Sequence, residues 1–410
     1  MRVALYYPWI YLTSGAQRPL LRLTEYSRHD WTIFTNRFQP ESTFPEFADR
    51  RVVVPARQVS VDRSTGATAR TCWGLMRHKL PLAGFKALPV VGEGVGDRVL
   101  MRDHTLTATN ICLTPQRIAF DEIYCGRWMQ ETSFWKRVAV ALGCGAFRIV
   151  DRVAWSLYRR VFCICSEVRR RAVRGGLTKK RDAQLLFPGL GVEGFQEEVA
   201  YQPFFFLPGR IMWTKNIELA INAFREFVAA DPAFASYRLV IAGIVDEKSQ
   251  PYLAGLRELA GRDSRIEFRI HPSDAELASL YRNCRATLFT ALNEDYGIVP
   301  LDAMSFGKPV VAVNRSGPRK TIQHDANGFL EEPEASRFAP RMAQLARSLE
   351  LTHSVGQPAP RHARDFDWRL STKTLDRAST ELVNKGPKSL SNDTSIQPTS
   401  RVAVNNLKRF

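Results

Sequence analysis

The chain begins with an apolar run, VALYYP (residues 3–8), and the runs that follow recur at intervals filled by polar, helix-forming stretches. After Gly15 the pattern predicts a helix over AQRPLLRLTEYSR (16–28), then strands at WTIFT (31–35) and RVVVP (51–55). A helix is expected around 63–80, followed by strands ALPVV (87–91) and TNICLT (109–114). Helical material spans 127–160, leading to a strand VFCICS (161–166), a helix over EVRRRAVRGG (167–176) and a strand within AQLLFPG (183–189). Strands that are apolar throughout and alternate with helices imply a parallel sheet covered on both faces.

The second half repeats this rhythm more cleanly. FFFLPG (204–209) precedes NIELAINAFREFVAA (216–230), whose apolar residues recur at helical spacing. RLVIAG (238–243), RIEFRI (265–270), ATLFT (286–290) and PVVAV (309–313) are the next strands. Between two of them, Ser273 stands three residues before Glu276 at the head of a helical stretch, the signature of a capping box. Two similar α/β halves joined near 196–204 predict a two-lobed protein whose ligand sits in a cleft, at the carboxyl ends of strands. The boundaries expected are 1–200 for the first domain and 201–365 for the second. A terminal helix over 366–383 is expected to pack back on the first domain, and the polar stretch 384–410 to be disordered.

Length agrees, since 410 residues exceed one ordinary core. No stretch offers the ~18 uninterrupted apolar residues of a membrane-spanning helix. The start, RVALYYP, lacks the layout of a secretory signal. The seven cysteines include no CxxC pair, which fits a reduced, cytoplasmic compartment, and Cys163 and Cys165 are expected to be alternate residues of one strand. The net charge of +17 is uneven: residues 1–200 hold 30 Lys/Arg against 18 Asp/Glu. Two readings stay open, a basic half facing an anionic partner and plain solubility. Nucleic acid is the least favoured partner, because the arginines scatter through helices without forming a stripe interleaved with aromatics. The basic, aromatic-containing run 127–160 fits either ordinary helices on the first sheet or a helix lying on the inner face of a membrane.

One stretch carries chemistry: ALNEDYGIVPLDAMSFGKPVVAVNRSGP, residues 291–318. A loop leaving a buried strand holds Glu294, and a helix with Pro300 in its first turn holds Asp302, eight residues on. The amides of Gly297, Ile298 and Val299 then point out of the helix N-terminus, where partial positive charge collects. Carboxylates can accept from paired hydroxyls, and an amide-lined helix end suits phosphate. A ligand with hydroxyls at both ends and phosphates between them is a nucleotide sugar. GEGVGD (92–97) mimics a dinucleotide fingerprint, yet Asp97 stands in place of its third glycine. The seven histidines show no metal-like cluster.

The residues EDYGIVPLDAMSFGKPVVA resemble the E-x7-E signature of retaining glycosyltransferases with the two-domain GT-B fold, of the family 4 type. PGRIMWTKNIELAINAF (208–224) is similar to that family's Arg-x4-Lys segment, and LTSGAQR (12–18) to its glycine-rich first loop. The resemblance implies two Rossmann-like domains facing across a cleft. It also implies that Arg210 and Lys215 hold the donor pyrophosphate, that Glu294 contacts the transferred sugar, and that Asp302 holds the ribose. Arg210, Lys215 and Glu294 would be the catalytic set. Gly15, Tyr296, Gly297, Ile298 and Val299 would complete the donor site, and Glu93 would meet the acceptor. No cofactor or metal is expected, since Arg, Lys and helix amides can neutralise the leaving diphosphate. The sequence departs from the pattern at three places. Asp302 replaces a glutamate, Gly191 replaces an aspartate, and Leu113 stands where many relatives carry a histidine near the reacting sugar. The implied activity is transfer of a hexose, mannose from GDP-mannose first, to a saccharide or lipid-linked acceptor with retention, in cell-surface polysaccharide or glycan synthesis. The alternative is a catalytically silent homologue that binds nucleotide sugars and acts through a partner enzyme.

Overall fold

The computed structural model describes residues 1–386, apart from 14, 56–57, 61–64, 131–132, 192–193 and 195–199. Beyond Gly386 the tail expected to be disordered lies outside the described residues. The chain divides into two units, Met1–Pro188 with the carboxyl-terminal helix from Trp368, and Gly189–Asp367.

In the first unit the order is β1 (Arg2–Tyr6), α1 (Arg18–Tyr26), β2 (Asp30–Phe34), β3 (Val52–Val53), α2 (Thr65–Met76), β4 (Ala87–Gly92) and β5 (Thr107–Cys112). Then come α3 (Arg117–Phe120), α4 (Glu122–Gln130), α5 (Phe134–Ser156), β6 (Arg160–Cys163), α6 (Ser166–Arg174) and β7 (Ala183–Leu185). The second unit runs β8 (Phe204–Pro208), α7 (Ile217–Ala230), β9 (Arg238–Gly243), α8 (Gln250–Ala260), β10 (Ile266–Ile270), α9 (Asp274–Asn283) and β11 (Ala286–Phe289). It continues through α10 (Ile298–Ser305), β12 (Val310–Val313), α11 (Pro318–Thr321), β13 (Gly328–Glu331), α12 (Ala335–Arg347), α13 (Leu349–Gly356) and α14 (Ala359–Ala363). Helix α15 (Trp368–Asn384) returns to the first unit, where Asp376 accepts from Ser27 Oγ at 2.6 Å and from the Arg28 amide at 2.9 Å.

Both sheets are wholly parallel, ordered β3-β2-β1-β4-β5-β6-β7 and β10-β9-β8-β11-β12-β13. Each is doubly wound. Successive residues of β1 serve opposite faces: Val3 and Leu5 pack with Ile111 and Trp368, whereas Ala4 and Tyr6 pack with Leu88 and Val90. The capping box at Ser273 and Glu276 is formed, and it opens α9. Cys165 differs from its expected place. The strand ends at Cys163, and the Cys165 thiol caps α6 by accepting from the Val168 amide at 3.3 Å.

A buried ionic network fastens α5 to the first sheet. Arg98 Nη1 donates to Asp151 Oδ1 at 2.6 Å, and both side chains are at most 1% exposed. Asp97 accepts from Trp155 Nε1 at 3.2 Å, from Asn110 Nδ2 at 3.1 Å and from the Tyr158 hydroxyl. The residue that breaks the apparent dinucleotide fingerprint is therefore the centre of a core network. Arg98 bonds Asp151, while Asp97 feels its charge without a direct bond. Burial, reinforced by the Asp97 charge and opposed by Arg98, pushes Asp151 up to about 7.

Candidate active site

The strand order of the second sheet reverses between β8 and β11, and loops leaving the carboxyl ends at such a point are the usual place for a ligand. The two segments singled out in the sequence are those loops. After β8 the chain passes Gly209 and the exposed Arg210, then makes a tight turn over Trp213–Lys215. Asn216, in the left-handed region at φ 48°, starts α7. After β11 the loop Thr290–Gly297 leads into α10.

One side-chain and one main-chain hydrogen bond hold the two loops in register. Thr290 Oγ1 donates to the Lys215 carbonyl at 2.8 Å, and the Leu292 amide to the Thr214 carbonyl at 3.1 Å. Across this seam Lys215 Nζ forms an ion pair with the Glu294 carboxylate. The two side chains are 20% and 26% exposed, so solvent reaches the pair. A third loop joins after β12: the Gly317 amide donates to the Glu294 carbonyl at 2.9 Å, and Ser316 Oγ to Asn293 Oδ1 at 3.2 Å. Asn293 and Thr290 thus join this candidate site, although the sequence reading did not single them out.

Gly297 sits at φ 80°, a conformation costly for residues with a Cβ, and it turns the chain from the Glu294 loop into α10. The first amides of any helix lack intrahelical partners, which here are those of Ile298 and Val299 beside the Lys215–Glu294 pair's loop. Both residues are half-buried, whereas Tyr296 is buried with its ring 6.3 Å from that of Phe366.

Asp302 faces elsewhere. Its Oδ1 accepts from the Gly191 amide at 2.7 Å, and the residue is 6% exposed. A Cβ on Gly191 would stand 2.8 Å from Asp302 Oδ2, so the aspartate and the glycine that depart from the family pattern are in contact. The tie belongs to a series. The Gly194 amide donates to Ser305 Oγ at 3.2 Å, and the Tyr201 hydroxyl to the Gly307 carbonyl at 3.3 Å. Lys308, fully buried, donates to the Ala200 carbonyl with its ammonium 4.0 Å from the Tyr201 ring centre; burial lowers its pKa to about 8. These contacts bind the segment after Pro188 to α10, which explains why the second unit starts earlier than residue 201.

The remaining residues singled out lie in the first unit. Gly15 is in an exposed turn where an added Cβ would meet nothing within 4 Å, so this unit by itself places no demand for glycine there. Glu93 follows the end of β4 and is half-buried. Leu113 is 7% exposed and packs in the core, lining a small apolar cavity with Leu23, Ile111, Ile164, Leu186 and Trp368.

Residues 195–362 match the family described as Glycosyl transferases group 1, and the fold is that of the GT-B glycosyltransferases, in agreement with the family 4 likeness. Among curated relatives, the chain is 28% identical over 221 residues to human alpha-1,3/1,6-mannosyltransferase ALG2, covering 49% of this chain and 53% of that one. It is 34% identical over 202 residues to ALG2 of Rhizomucor pusillus, covering 42% and 44%. It is 28% identical over 179 residues to D-inositol 3-phosphate glycosyltransferase of Corynebacterium efficiens, covering 43% and 42%. The alignments thus span about half the length of these relatives or less. Among solved structures, Anabaena Alr3699/HepE in complex with UDP superposes with a TM-score of 0.69 at 16% identity, covering 93% of this chain and all of that one. Sucrose-phosphate synthase of Thermosynechococcus elongatus gives 0.69 at 14% identity, covering 94% and 100%. No described helix is long and apolar enough to cross a membrane.

Proposed function

We propose that this chain transfers a hexosyl group from a nucleotide diphosphate sugar to a saccharide or lipid-linked acceptor, with retention at the anomeric carbon. The observation that carries the reading is the Lys215–Glu294 pair beside the N-terminus of α10, at the reversal point of the second sheet. A cation, a carboxylate and free helix amides stand together there. The diphosphate would draw the Lys215 ammonium and the exposed Arg210 to its oxygens, with the α10 amides completing the charge. Glu294, released from Lys215, would accept hydroxyls of the sugar. The acceptor hydroxyl would attack on the face from which the diphosphate departs, and a departing phosphate oxygen would take its proton. No separate base and no metal are required in this scheme.

The mannosyltransferase relatives favour mannose, and GDP-mannose is the first donor to test. The neighbour bound to UDP-glucose makes UDP-glucose the second. A cell-surface polysaccharide or glycan is the product class proposed, with a cytoplasmic site of action and a membrane surface as the partner if the acceptor is lipid-linked. The direct experiment is a thermal-shift panel of nucleoside diphosphates, followed by donor hydrolysis without acceptor. A ligand at 100 times its Kd stabilises by about 2.7 kcal/mol, which a melting curve resolves readily. Failure of every diphosphate to shift the transition would remove the reading. Binding without hydrolysis or transfer would instead favour a silent nucleotide-sugar-binding homologue acting through a partner enzyme.

A further inference from the structure

Helix α5 is apolar on the side where a surface helix is ordinarily polar. Its buried residues, Val140, Asp151, Ala154 and Trp155, share one face, as helical geometry requires of a helix packed on a sheet. On the opposite face Trp135, Val138, Leu142, Ile149 and Val153 are exposed, at 79%, 38%, 71%, 64% and 51%. At about 100° per residue these five fall within roughly 60° of one another, and Phe134, 66% exposed, stands at their edge. Such a stripe differs from the scattered apolar residues of an ordinary surface.

The exposed charges carried by α5 itself are all basic. Lys136, Arg137, Arg148 and Arg152 lie on α5, while its one acid, Asp151, is buried against Arg98. Arg148 and Arg152 are held to the flank of the stripe, donating to the carbonyls of Ala119 at 2.7 Å and Gly175 at 3.2 Å. The geometry points to α5 as the element that lays this protein on an anionic lipid bilayer, its apolar stripe among the acyl chains and its basic flank at the headgroups. Aromatic residues at one end, aliphatic residues along the stripe and cations at its side match the demands of that interface. A second copy of the chain is the poorer occupant, because pairing α5 with itself would bring the same basic side chains together with no exposed acid on α5 to answer them.

The test uses the full chain and sedimented vesicles, either pure phosphatidylcholine or phosphatidylcholine with about a third phosphatidylglycerol or phosphatidylserine. The native chain binds the anionic vesicles, and its binding falls steeply with salt. Leu142→Glu with Ile149→Glu lowers partitioning by tenfold or more, on the order expected for removing two buried aliphatic side chains and adding two repelled charges. Lys136→Glu lowers it by about fivefold for each unit of charge changed. Melting temperatures stay near native, because all three positions are exposed. Absence of native binding to anionic vesicles overturns the inference, and so does equal binding by the Leu142→Glu/Ile149→Glu variant. A native dimer that this double change converts to monomer, without vesicle binding in either form, assigns the stripe to self-association and also overturns it.

Discussion

Two of the molecule's ion pairs are opposite in character. In the first unit Arg98 and Asp151 are sealed from water, and in the second Lys215 and Glu294 are about a fifth to a quarter exposed. The sealed pair joins residues 53 apart and ties α5 to the turn that follows β4. The open pair lies where three loops meet at the strand reversal, and its partners can be drawn apart by a molecule that offers each a better one. Burial, and not the mere presence of opposite charges, distinguishes the sealed pair from the one proposed to bind.

Stability measurements give the comparison its hardest test. Above pH 7, where Asp151 is ionised, Arg98→Ala should cost about 3–5 kcal/mol in chemical unfolding, since it strands a buried carboxylate, while Arg98→Met with Asp151→Leu should cost distinctly less. Lys215→Ala should change stability by no more than about 1 kcal/mol. Equal losses at the two sites would erase the distinction. The sealed network also predicts a pH dependence. Asp151 keeps its proton to about pH 7 in the folded state but releases it near 4 when unfolded. Its contribution is therefore fully present below about pH 4 and is lost as the pH rises through 7. Asp151→Asn, which imitates the protonated acid, should flatten that part of the stability profile, whereas an unchanged slope would assign it to other groups.

The next effect in size concerns close packing against α10. A Cβ on Gly194 would stand 2.3 Å from the Phe306 ring, so Gly194→Ala should destabilise by about 1–3 kcal/mol in urea unfolding. Leu113→His belongs in the same range, because an imidazole placed among Ile111, Ile164 and Trp368 loses its hydrogen bonds to water. The family resemblance, which puts a histidine at this position near the reacting sugar, implies instead that histidine there would speed turnover. A faster enzyme with an unchanged melting temperature would favour that view over the buried position of Leu113.

Sequence and structure agree best where chemistry is local. Strands β8 to β12 fall within a residue of their expected ends, because, apart from the edge strand β10 with its Glu267 and Arg269, they are largely apolar runs buried in a parallel sheet. The Glu294 loop, Gly297 and α10 are equally plain, since turn, cap and helix are encoded within a dozen residues. Strand β13 and helices α12 to α14 were not foreseen; GFLE is only four residues long and runs into acids. The core role of Asp97 and the bond from Gly191 to Asp302 were also invisible. Their partners lie 58 and 111 residues away, and no local pattern links positions so distant.

A smaller effect separates the two roles open to Asp302. If its carboxylate serves ribose as well as Gly191, Asp302→Asn should weaken a ribonucleoside diphosphate by about 1 kcal/mol more than its 2′,3′-dideoxy analogue, as titration calorimetry would read it. Identical losses would leave Asp302 as a tie between α10 and the segment after Pro188.

The central claim is that the exposed pair is a phosphate site held closed by its own acid. Calorimetry of Lys215→Ala with a nucleoside diphosphate and with the matching nucleoside addresses it most directly. The account predicts that the diphosphate loses about 1.5–3 kcal/mol of binding free energy, the range for a hydrogen bond to a charged group, while the nucleoside is nearly unaffected. Equal loss for both ligands, or no loss for either, would contradict it.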